Sequence, residues 1–171
     1  MNILHDISDD RIKPDEFMVC VEIPTGTKVK YEIDEETGLL MFDRIEPTGM
    51  RMPMNYGFIP RTLCEDGDAL DVFVVTSETL YPMSLVKCKP VGLIRMLDGG
   101  ERDEKIVAVP VSDPSNELPK NTVNEIYTYY RFYKSLRKNH VVELKEYEGQ
   151  ESAIQMVKEA KEYYKKHGGK K

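Results

Sequence analysis

The chain has 171 residues, enough for one domain with a substantial core, and its hydrophobic and charged fractions of 40% and 32% suit a globular protein in water. A formal net charge of -6, with basic residues bunched only in the Lys-rich tail, argues against nucleic acid as the main partner. No apolar run approaches the roughly 18 residues of a membrane span, residues 1–17 lack a signal-peptide core, and Cys20, Cys64 and Cys88 show no CxxC spacing. These features predict a cytoplasmic protein with reduced thiols and no membrane partner.

After a polar leader over residues 1–15, Phe17-Met18-Val19-Cys20-Val21-Glu22-Ile23 is apolar and β-branched, which predicts a strand. Pro24-Thr25-Gly26-Thr27 is turn chemistry. Val29-Lys30-Tyr31-Glu32-Ile33 then alternates, with Lys30 and Glu32 on one face and Val29, Tyr31 and Ile33 on the other. Residues 34–38 close a hairpin into a third strand over residues 39–44. On this reading Glu22, Lys30, Glu32 and Arg44 share one antiparallel sheet, where cross-strand charge pairing accounts for them without chemistry. Met52-Pro53-Met54-Asn55-Tyr56-Gly57-Phe58-Ile59-Pro60 reads as turn-rich, with Tyr56 a core aromatic.

The densest chemistry is Asp66-Gly67-Asp68-Ala69-Leu70-Asp71, three carboxylates at i, i+2 and i+5 that lead into the apolar run Val72-Phe73-Val74-Val75. In an extended segment Asp66 and Asp68 point the same way, and Gly67 permits a turn. Crowded anions at the mouth of an apolar strand lose hydration and repel one another, so they call for a compensating charge. A hard divalent cation with oxygen ligands supplies it; a solvated Asp-Gly turn is the simpler alternative. An EF-hand is excluded, because Leu70 sits at the fifth position, Asp71 replaces the Gly and Ser77 the closing Glu.

Residues 86–96 predict a further strand, bent or bulged at Pro90 and Gly92. A second acidic loop, Asp98-Gly99-Gly100-Glu101-Arg102-Asp103, precedes Lys105 and the strand Ile106-Val107-Ala108-Val109. Two acidic loops that each open a buried strand point to carboxylates converging at one end of a barrel. From Asn121, the spacing of Val123, Ile126, Tyr127, Tyr130 and Tyr133, with Phe132 and Leu136 beside them, predicts a helix. Tyr127 and Tyr130 are assigned to core packing. Residues 141–144 predict a short strand, and residues 149–166 an amphipathic helix with Ala153, Ile154, Val157, Ala160 and Tyr164 inward. Residues 167–171 read as a frayed tail, and the whole as one domain over residues 1–171.

Sorted by chemistry, the polar residues form an acidic set and a set of cations and hydroxyls. Acids for metal ions beside Lys and Arg for phosphate oxygens is the outfit of phosphoryl transfer to water. There is no Walker loop, no Ser-His-Asp set and no His/Cys metal cluster; His5, His140 and His167 read as surface residues.

These motifs resemble family I soluble inorganic pyrophosphatases of the compact bacterial type. The resemblance rests on the Asp66–Asp71 run together with Glu22-Ile23-Pro24, Lys30-Tyr31-Glu32, Asp43-Arg44, Asn55-Tyr56-Gly57, Lys89-Pro90-Val91-Gly92, Asp98, Asp103, Lys105 and Tyr133-Lys134, all in order. It implies an α+β fold, mainly β: an OB-like five-stranded β-barrel with two main helices packed outside. It also implies Mg²⁺-dependent hydrolysis of pyrophosphate by several Mg²⁺ ions per site, in a homohexamer. By position, Asp66, Asp71 and Asp103 resemble tight metal ligands, and Asp98 serves a metal arriving with substrate. Asp68 resembles the catalytic proton acceptor. Lys30, Arg44, Tyr56, Lys105, Tyr133 and Lys134 would hold phosphate oxygens. Glu32, also on the metal side, and Glu22 support the metal and water network. Three departures stand out: Ala69 replaces the usual Pro, Met52 the common Tyr, and the segment before the late helix is short. The rivals are an OB-type anion or nucleic-acid binding module, which would carry exposed aromatics among basic residues, and a hydrolase of another phosphoanhydride.

Overall fold

A computed structural model describes residues 1–47, 49–113, 118–133, 135 and 141–168. In chain order the elements are β1 (Ile12–Lys13), β2 (Glu16–Ile23), β3 (Val29–Ile33), β4 (Leu40–Ile45), β5 (Asn55–Phe58), β6 (Asp71–Val74), β7 (Leu85–Asp98), β8 (Glu101–Arg102), β9 (Lys105–Pro110), α1 (Thr122–Tyr133), β10 (Val142–Gly149) and α2 (Gln150–His167).

Five strands close into a ring in the order β2-β5-β6-β9-β7, and the β2–β7 pairing completes it. The expected five-stranded barrel of an α+β fold is what forms. Only β6 and β9 run parallel, and their register sets Asp71 beside Lys105. The two acidic loops therefore open onto the same end of the barrel. β7 is long enough to serve two neighbours: Phe17 to Cys20 pair with its first half and β10 with its second. The bend expected at Pro90 and Gly92 is a register shift against β9 at that point. At Gly57, where β5 pairs with β2, any Cβ would collide with the Cys20 carbonyl, so only glycine lets these backbones meet.

The core lies on both sides of the ring wall. On β6, Val72 and Val74 face a cluster with Phe17, Val19, Ile106, Ala153 and Val157, while Phe73 joins Ile94, Val107, Ile126 and Tyr130. Strands buried on both faces read as continuous apolar runs, as these do. Burying a side chain such as Phe73 contributes roughly 1.5–3 kcal/mol. The helices cover the outside, α2 against β7 and α1 against β10. Among the described residues no helix is long and apolar enough to cross a membrane.

Several expectations need correction. β3 and β4 form their own two-stranded sheet, so Glu22 stands on a barrel strand while Lys30, Glu32 and Arg44 stand on a separate hairpin. The two are joined where the Ile33 N–H donates to Glu22 Oε1 at 3.1 Å. The segment read as turn-rich contains β5. Asp66 and Asp68 lie in a turn rather than in extended chain. β10 runs to Gly149, well past Leu144. On α1 Tyr129 is buried and Phe132 is 53% exposed, and on α2 Met156 is buried where Ile154 was expected. Leu136, His140 and residues 169–171 lie outside the described residues.

Candidate active site

The floor of the site is the paired start of β6 and β9. The Lys105 side chain is 3% exposed and its ammonium donates to both Asp71 and Asp103. Parallel pairing brings the first two together; Asp103 joins because it shares a face with Lys105 two residues on. The same ammonium lies 5.8 Å from the centre of the Tyr56 ring, and the nearby Tyr56 hydroxyl helps to lower the Asp71 pKa. Burial pushes the Lys105 pKa down, but the charges of Asp71 and Asp103 outweigh it and hold it well above the ordinary value. On Asp71 burial is the largest influence and raises its pKa, with Lys105 opposing.

The rim is the Asp66-Gly67-Asp68 turn. Gly67 adopts φ 97°, the Cys64 N–H donates to the Asp68 carbonyl at 2.8 Å, and Asp66 Oδ1 accepts the Asp68 N–H at 3.0 Å. Leu70 anchors the chain between this turn and β6: its side chain is buried and its N–H donates to the buried Thr62 Oγ1 at 2.9 Å. Partial burial, then the neighbouring carboxylates of Asp66 and Asp71, raise Asp68 to about 6. Asp66 is raised for the same kind of reason, burial first.

Glu22, at the end of β2, is pushed to about 8 by burial and then by the charge of Asp71. An acid whose pKa rises on folding favours the fold below its unfolded value, near 4.5, and that contribution is lost as pH climbs toward 8. At about 1.36 kcal/mol per unit, it amounts to roughly 3 kcal/mol between pH 5 and 8. In metal-free protein, the stability of Glu22→Gln relative to the parent should therefore improve steadily from pH 5 to 8. Melting curves across that range check it; a constant difference would mean that Glu22 is not strained by its neighbours.

On the hairpin, Lys30 pairs with Glu32 and, at 3.5 Å, with Asp43. Arg44 lies opposite Lys30 in register, donates from Nη1 to Asp43 and from Nε to Glu46 at 2.9 Å. Two edges of its guanidinium are thus already held by carboxylates, and its link to the barrel acids runs through Asp43 and Lys30. Asp98 ends β7 and its charge acts on Tyr133, whose hydroxyl burial already raises above the ordinary range. Lys134 lies outside the described residues. The other candidate site residues thus gather at one end of the barrel, with Arg44 at its edge. Asp43, Glu46, Tyr129 and Tyr130 also stand there. Sequence alone assigns Tyr130 to core packing, although its place one turn before Tyr133 puts the two on the same helix face; Asp43 was legible as part of the Asp-Arg pair, and nothing in the sequence marks Glu46.

The residues suit a hard cation in kind: several carboxylates, and pKa values raised by burial first and then by neighbouring acids; the Cys64 thiol stands beside Asp66 and Asp71, and burial raises its pKa so that it stays protonated. As the side chains stand, no three acids, histidines or cysteines among the described residues close around one point. The Lys105 ammonium instead occupies the place between Asp71 and Asp103, the positive charge that this pair requires.

A family model for inorganic pyrophosphatase matches residues 19–165. The chain is 41% identical over 170 residues to soluble inorganic pyrophosphatase 2 of Chlamydomonas reinhardtii, covering 95% of this chain and 88% of that one. It is 37% identical to the inorganic pyrophosphatase of Aquifex pyrophilus over 172 residues, 95% of this chain and 97% of the relative. The fold superposes on the inorganic pyrophosphatase of Helicobacter pylori with a TM-score of 0.82 at 35% identity, covering 90% and 96% of the two chains. For the Thermus thermophilus structure the TM-score is 0.86 at 30% identity, with 96% and 99% covered. With the barrel, the acid cluster and these likenesses in agreement, the chain belongs to the inorganic pyrophosphatase family, hydrolases that split a phosphoanhydride.

Proposed function

We propose that the chain, acting as one catalytic domain, hydrolyses inorganic pyrophosphate to two orthophosphates with Mg²⁺ as cofactor. The observation that carries this reading is the meeting of Asp71, Asp103 and Lys105 beneath the Asp66–Asp68 turn. Asp66, Asp71, Asp98 and Asp103 would hold the metal, with Glu32 and Glu22 supporting its waters. When bound, the metal supplies a lowered pKa for the attacking water and charge to balance the substrate. Asp68, in the turn above the paired acids, would accept the proton of that water. Lys30, Arg44, Tyr56, Lys105, Tyr133 and Lys134 orient the phosphate oxygens. The formal net charge of -6 repels a polyanion such as nucleic acid, which disfavours the binding-module reading.

The three cysteines form no disulfide, and burial lifts the Cys20 and Cys88 thiols to about 12, which suits a reducing compartment; we place the protein in the cytoplasm. Exposed Leu39, Phe42, Ile45 and Tyr81 favour association, read here as a homohexamer. The test is phosphate release from pyrophosphate with Mg²⁺ and after chelation, with light scattering on the same sample. No release with Mg²⁺ overturns the activity, release unaffected by chelation overturns the cofactor, and a monomer overturns the assembly.

A further inference from the structure

Helix α1 brings Tyr129, Tyr130 and Tyr133 to a cleft of about 50 Å³ that Lys30 and Tyr56 also line. Tyr129 and Tyr130 are 5% and 6% exposed. Other tyrosines pair their hydroxyls within the chain: the half-buried Tyr127 reaches the Lys145 carbonyl at 2.8 Å, the half-buried Tyr147 the Val91 carbonyl at 3.3 Å, and the buried Tyr164 bonds His5 Nδ1 at 2.9 Å. Tyr129 and Tyr130 have no hydrogen-bond partner for theirs among the described residues. A phenol that lines a cleft has its O–H available to a ligand that enters.

The two phenols stand in different surroundings. The Tyr130 ring packs edge-on against Phe73 at 6.0 Å and Tyr133 at 5.6 Å. Phe73 follows Asp71 by two residues on β6, so this packing fixes the ring over the start of the strand. The Tyr130 phenol, held up by burial, also lies in the field of Lys105, Asp103 and Asp71. Tyr129 lies instead in the field of Glu46 and Arg44. Tyr130 therefore sets a hydroxyl donor where the floor of the site meets the cleft. A phosphate oxygen, anionic and with several lone pairs, is the partner such a donor fits.

We propose that Tyr130 is a substrate-binding residue whose hydroxyl donates to a phosphate oxygen of bound pyrophosphate and of the orthophosphate product; this rests on the pyrophosphatase reading above. Its ring packing holds the donor in place before the ligand arrives, so little ordering cost remains on binding. A purely structural tyrosine would leave ligand affinity alone.

The test compares Tyr130→Phe with the parent in three measurements: KM and kcat for pyrophosphate with Mg²⁺, orthophosphate affinity by calorimetry, and melting temperature without ligand. The expected result is a KM raised about fivefold or more, orthophosphate affinity weakened in parallel, and a melting temperature unchanged, because the hydroxyl hydrogen-bonds no other described residue. KM and orthophosphate affinity both within about twofold of the parent would overturn the assignment and leave the hydroxyl to water. Affinity is read on folded protein, so a lowered melting temperature does not mask either result. If the parent binds orthophosphate but releases none from pyrophosphate, the activity reading fails, and the calorimetric comparison still decides the role of Tyr130.

Discussion

Asp71→Asn should lower turnover by about 10²–10³-fold, the cost typical of removing one preorganised polar group from a reacting centre. The same change should raise the Mg²⁺ concentration for half-activity about tenfold or more, since a charge-assisted contact contributes about 1.5–3 kcal/mol and 1.4 kcal/mol is tenfold. The reason is position. Asp71 opens β6, is held by Lys105, and shares that ammonium with Asp103 across a parallel pair. Asp66 lies in the exposed turn, bonded to the Asp68 N–H at 3.0 Å, where a displaced ligand can be replaced by water. Asp66→Asn should therefore cost less. Kinetics across a Mg²⁺ titration rank the two, with melting curves to show that both variants fold; a milder effect at Asp71 than at Asp66 would refute the argument.

The second large effect is on stability. Lys105→Met leaves two carboxylates facing each other with their shared counter-charge gone. Breaking a buried pair from one side costs about 3–5 kcal/mol, a fall in melting temperature of roughly 6–20 °C for a chain of this size. The metal-free variant should show the whole loss. Added Mg²⁺ should restore more stability to it than to the parent, because a cation that binds only folded protein stabilises by mass action. Differential scanning with and without Mg²⁺ reads both. An undiminished melting temperature in metal-free Lys105→Met would show that the ammonium does not balance the acids, and equal Mg²⁺ gains in variant and parent would show that the cation does not go to them.

The local rules of the sequence reached the strands and helices well and their arrangement poorly. Continuous apolar, β-branched runs located β2, β6 and β9, alternation located β3, and the Pro90–Gly92 break located the irregularity in β7. β5 escaped because Asn55-Tyr56-Gly57-Phe58 is dominated by turn-forming types, and its strand state is imposed by the two neighbours that it bridges. The charged second half of β10 escaped because it borders the sheet, where one face meets water and no apolar alternation is needed. Which strands pair is a property of the whole chain, so the separation of the β3–β4 hairpin from the barrel was out of reach. The acids of the site were visible through their crowding. Two things were not visible: that Lys105 already answers two of them, and that Arg44 is held by Asp43 and Glu46 before any ligand comes.

The parallel seam has a kinetic consequence. Lys105 and Asp71 are 34 residues apart in sequence, and the intervening chain must build the whole of β7 before the two can meet. Closing such a span precedes any contact that rewards it, which makes parallel pairing slow relative to hairpins. No contiguous fragment shorter than that span can contain the floor of the site. Nascent chains released before β9 leaves the ribosome are therefore inert by construction. In refolding, recovered turnover marks the moment when the ring closes rather than the earlier appearance of secondary structure.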